Sequence, residues 1–135
     1  MKIATLDKAL QEIIGKRNLL QKLDYNNPKY DDLEEELHGL EDDFHEKFGS
    51  YLEGILKQVH DQHCPDMDVL HPVAYIAKAY TVSSNNEFHV DSSDGVYVEM
   101  EKYPGKETKL ALAPNPLRVI LNIGEEKQEV IWSAE

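Results

Sequence analysis

The chain has a single cysteine, a single tryptophan and few basic residues, and no apolar run in it is long enough to span a bilayer. Cys64 alone cannot close an internal disulfide, which agrees with a reducing compartment. Asp7 and Lys8 interrupt the first residues, so neither a secretory leader nor a membrane-spanning helix is expected, and a cytoplasmic location follows as an expectation. Lys and Arg number 14 against 26 Asp and Glu, a formal net charge of -12. That charge repels nucleic-acid phosphates and anionic lipid headgroups, so neither nucleic acid nor membrane is expected as a partner. The scattered glycines make no phosphate-cradling loop, no serine sits in a Gly-x-Ser-x-Gly elbow, and the paired cysteines of common zinc sites are missing.

What is present suits a globular domain, with 41% hydrophobic and 30% charged residues over 135 positions, and one domain over residues 1–135 is expected. Ile3, Leu6, Leu10, Ile13, Leu20 and Leu23 recur at helical steps and predict an amphipathic helix over 3–24. Asn26, Asn27 and Pro28 break it. Leu33, Leu37, Leu40, Phe44, Phe48, Tyr51, Ile55 and Val59 then predict a longer helix over about 30–63, stopped by Pro65. The first helix is basic (Lys2, Lys8, Lys16, Arg17, Lys22), whereas residues 31–46 carry nine acids and no base. Residues 1–64 therefore read as an antiparallel, coiled-coil-like hairpin, with Lys22 opposite the 30s and Lys8 opposite the mid-40s. The second helix outruns the first by several turns. Leu52 and Leu56 broaden its apolar face there, so a sheet or a second subunit is needed to cover it.

After a hinge at 65–72 the apolar period changes from helical to alternating, and residues 73–135 read as an antiparallel meander of about five strands. The segments are "VAYIAKAYTV", "VYVEMEKY", "TKLALA", "LRVILNI" and "KQEVIW", with "EFHV" as a short sixth. Turn chemistry separates them, including Pro104-Gly105 at the centre of a type II turn. Val96, Val98 and Met100 fall on one face of their strand and Tyr97, Glu99, Glu101 and Tyr103 on the other, while "LRVILNI" reads as central. The fold class is α+β.

Candidate chemistry concentrates in "HDQHCPDMDVLH", residues 60–71. His60 and His63 are three apart in the last helical turn, and His71 could complete a transition-metal site with them. The competing reading gives the two helical imidazoles to the negative end of the helix dipole and has His71 begin a strand. His38, Asp42 and His45 share a helix face but are too few ligands for a bundle metal site, so they read as part of a solvated acidic surface. The leading functional expectation is a non-catalytic cytosolic interaction or assembly protein without a cofactor, self-associating as a homodimer and holding another protein. Its interaction surface is expected at Tyr51, Leu52, Leu56, Tyr97 and Tyr103. The alternatives are a metal-binding protein using His60, His63 and His71, and a small enzyme with a pocket between helix and sheet.

Overall fold

A computed structural model describes residues 2–134, so Met1 and Glu135 lie outside the described residues. Helix α1 spans Ile3–Lys22 and helix α2 spans Tyr30–His63, 20 and 34 residues respectively. They pack antiparallel: residues 5–13 lie against 40–48, and Lys16 and Arg17 form ion pairs with Glu36 (2.9 Å) and Glu41 (3.0 Å). The register agrees with the one the opposed charges predict, although Lys16 and Arg17 make the ion pairs rather than Lys8 and Lys22. Most of the acidic run on α2 stays at the surface.

The overhanging half of α2 is covered from within the chain. Phe48, Leu52, Ile55, Leu56 and Val59 join the strands in a single buried cluster that extends from Leu6 to Ile123. Burying a side chain of this size stabilises the fold by about 1.5–3 kcal/mol, which is why so long a helix holds its position.

The strands are β1 (Tyr80–Val82), β2 (Phe88–Val90), β3 (Val96–Val98), β4 (Thr108–Ala113), β5 (Arg118–Ile123) and β6 (Lys127–Ser133). They form two antiparallel sheets, a β1-β2 hairpin and a four-stranded meander in the order β3-β4-β5-β6, so β5 is internal as its two apolar faces require. The turn at 103–106 has the expected form, with Lys106 N–H donating to the Tyr103 carbonyl at 3.2 Å and Gly105 at φ +77°. Between β5 and β6, Gly124 and Glu125 both take positive φ, the signature of a type I′ turn.

One expected strand is shorter than its alternation suggests. Of the expected strand only Tyr80–Val82 forms, as β1; Pro72–Tyr75 is a 3-10 turn preceded by His71, so His71 does not begin a strand, and Ile76 makes only an isolated parallel bridge to Leu112. Proline at the first helical position fixes the φ such a turn needs. Tyr75, Ile76 and Ala77 are all buried in succession, so the apparent alternation does not mark two faces there.

A two-stranded hairpin is marginal in water by itself, and side chains from elsewhere complete this one. Asn18 of α1 donates to the Tyr80 carbonyl and accepts from Tyr80 N–H, both at 2.9 Å, as a neighbouring strand would. On the other edge the carbonyls of Phe88 and Val90 accept from Arg118 Nη2 (2.6 Å) and Gln128 Nε2 (2.7 Å). Arg17 ties the connector to the helices, donating to the carbonyls of Ile76 (2.8 Å) and Ala77 (3.0 Å) as well as to Glu41.

Candidate interaction groove

His60 continues the buried stripe of Phe48, Leu52 and Leu56 at four-residue steps and is 2% exposed. Its Nδ1 lies 2.9 Å from the Met67 carbonyl and its Nε2 lies 2.9 Å from the Tyr75 hydroxyl. A carbonyl only accepts, so Nδ1 carries the proton and Nε2 accepts from the tyrosine. The Tyr75 oxygen in turn accepts from Leu70 N–H at 3.0 Å. Every polar atom of this network is satisfied, and it pins residues 67–70 onto the end of α2. Burial pushes the Tyr75 phenol above its ordinary range, so it stays a neutral donor.

The structure does not bring the three candidate metal ligands together. His60 has both ring nitrogens engaged, His71 is stacked on His45 with ring centroids 4.0 Å apart, and among the described residues no three His, Cys, Asp or Glu side chains converge as a metal set. Cys64 is buried and unpaired, and its burial raises the thiol pKa, leaving little thiolate for nucleophilic chemistry. Leu52 and Leu56 are both 0% exposed, enclosed by the chain's own core. Tyr51 is at the surface at 36% exposure.

Tyr97 and Tyr103 are brought together at one place. A groove of about 640 Å³ runs between the segment after α2 and the β3 side of the meander. Asp66 and Met67 line it on one side; Tyr97, Glu99, Met100 and Glu101 of β3 and its continuation, with the 103–107 turn, supply the rest. Met67 is held by His60, so the buried network sets the position of one groove wall. Alternation along "VYVEMEKY" sets the other: Val98 and Met100 point into the core while Tyr97 is 54% exposed. Tyr103 is half-buried and its hydroxyl donates to Glu129 at 3.3 Å. The hydrogen bond from Lys127 is the main reason the Glu129 carboxyl lies below the ordinary carboxylate range, with Tyr103 assisting.

The groove is acidic. Among the described residues four of its lining side chains are carboxylates, against one lysine, Lys106. Lys106 pairs with Glu126 at 3.6 Å, and Glu107 pairs with Lys109 at 2.8 Å. Asp66, Glu99 and Glu101 have no ion-pair partner among the described residues. Lys102 Nζ lies 5.6 Å from the centroid of the Tyr103 ring, a cation–π distance. Sequence reasoning located Tyr97 and Tyr103 and placed Glu99 and Glu101 on the same wet face, but missed Asp66 and Met67. Comparison with known protein families, with characterised proteins and with solved structures found no match. Among the described residues no helix is long and apolar enough to cross a membrane.

Proposed function

We propose that this chain is a non-catalytic interaction protein of the cytosol that holds a partner in the groove lined by Tyr97 and Tyr103. The carrying observation is the Tyr97 ring, 54% exposed beside a groove of about 640 Å³. Large aromatic rings are enriched where proteins meet, because they supply contact area at little cost in side-chain entropy. The lining holds tyrosines, methionines and carboxylates but no serine, cysteine or histidine, which favours binding over nucleophilic chemistry. The cytosolic setting rests on the unpaired Cys64. Selection from a displayed peptide library tests the reading. Enriched peptides are expected to lose binding to Tyr97→Ala and keep it to Tyr25→Ala, where Tyr25 is 79% exposed in the turn between the helices. A library yielding no binder that depends on Tyr97 would refute it.

Self-association is a second reading, and a different surface from the one first expected favours it. The stripe at Leu52 and Leu56 is consumed inside the chain, but β6 is an edge strand of its sheet among the described residues and Val130 on it is 56% exposed. Strand edges of this kind pair with other chains unless blunted. Light scattering at high concentration is expected to return twice the 15.5 kDa chain mass; a value at the monomer mass would retire the dimer.

A further inference from the structure

We infer that the groove takes a lysine- or arginine-bearing segment of a partner protein, with Asp66, Glu99 and Glu101 meeting the cationic head and Tyr97 packing along its stem. This rests on the proposal that the groove is a partner site, and adds the chemistry of the occupant. Carboxylates on an open surface would be only a solvated acidic face, as the run on α2 shows. Here they border an aromatic and methionine-lined hollow, the environment in which a long basic side chain buries its methylenes while its charge stays at a wet, negative rim.

The charge ledger of the groove points the same way. Lys106 of its lining is already paired with Glu126, Glu107 is already paired with Lys109 and the nearby Lys102 lies against the Tyr103 ring, while Asp66, Glu99 and Glu101 have no ion-pair partner among the described residues. Tyr103 holds Lys102 against its ring, so the chain already contains the cation–aromatic pairing that Tyr97 would offer a partner. The net charge of -12 adds a long-range field that draws cationic segments in and turns acidic ones away. A hollow of about 640 Å³ is in the size range of specific ligand sites and has room for one extended basic side chain and its neighbours.

The test is an isotope-labelled full chain titrated with three capped hexapeptides of matched length: one with two lysines and an arginine, one with those positions as glutamine, and one with them as glutamate. The basic peptide is expected to shift amides of residues 66–67 and 97–107, and the other two to leave them unmoved. The double variant Glu99→Gln, Glu101→Gln, at two exposed positions, should weaken the basic peptide about tenfold, as should 0.5 M salt. Equal shifts from the glutamine peptide would overturn the cationic chemistry while leaving the groove as a docking site. Shifts spread along the acidic run of α2 instead would overturn the proposal as diffuse attraction. No shift in the groove with any peptide would overturn both readings together.

Discussion

Replacing His60 by leucine tests whether the buried imidazole is a structural pin. Leucine fills nearly the same volume, so little of the effect should come from a cavity. The change strands the Tyr75 hydroxyl proton, in a residue 0% exposed, and the Met67 carbonyl, which is only part-buried. A buried polar group left without its partner costs about 1–3 kcal/mol, and the more accessible carbonyl less, for a total of roughly 2–4 kcal/mol. For a chain of 135 residues the unfolding entropy is about 0.28 kcal/mol/K, so about 3 kcal/mol lowers Tm by roughly 10 °C. The double-mutant cycle with Tyr75→Phe sharpens the test. Tyr75→Phe alone strands His60 Nε2 and Leu70 N–H, whereas the double variant removes the facing groups together. The pair should therefore cost about 1–2 kcal/mol less than the two singles combined. Urea unfolding with an unchanged m-value measures all three. A cost below about 1 kcal/mol for His60→Leu, or strict additivity in the cycle, would refute the reasoning.

Zinc or nickel added to the tag-free chain is expected to leave Tm unchanged, because His60 already uses both ring nitrogens; a rise in Tm that His63→Ala abolishes would restore the histidine site. Gly54→Ala, on a helix surface with open space around the added methyl, should stabilise by up to about 1 kcal/mol. Gly49→Ala should fail to do so, because the methyl would come within 2.9 Å of His45 Nδ1 and displace that ring from His71. Glu125→Asn should stabilise the β5-β6 turn by roughly 0.5–1 kcal/mol in thermal or urea unfolding, since asparagine tolerates the positive φ that glutamate adopts at cost. Burial raises the phenols of Tyr75 and Tyr80, so their contribution is whole below the unfolded phenol's pKa near 10 and is lost as pH climbs through the folded values. Unfolding free energy should fall by up to about 1.4 kcal/mol per pH unit for each of them above pH 10, and Tyr80→Phe should flatten the slope.

The helices were the most legible part of the sequence, because twenty and more residues of 3.6-fold periodicity leave little choice of period: the expected span of 30–63 is the one observed, and 3–24 overshoots by a turn fraction. The last three strands were equally plain. Residues 73–79 misled because apolar side chains at every second position also arise where a proline-led turn is buried on all sides. His60 could have been found, since it falls four residues after Leu56 on a stripe already read as buried. Its partners could not, because Met67 and Tyr75 reach it only through the path of the connector. The groove was half legible for the same reason: one wall follows from alternation along β3, whereas Asp66 and Met67 arrive from a segment about thirty residues earlier in the chain.

The side chains that finish the β1-β2 hairpin also protect the protein from itself. A bare two-stranded ribbon offers hydrogen-bonding rows to any passing copy, the first step of templated growth into fibres. Asn18 closes one row at Tyr80, and Arg118 and Gln128 close the other at Phe88 and Val90. A nascent chain whose first helix has yet to dock would carry the hairpin with one row open, so in this fold α1 serves as a guard against aggregation as well as a layer of the core.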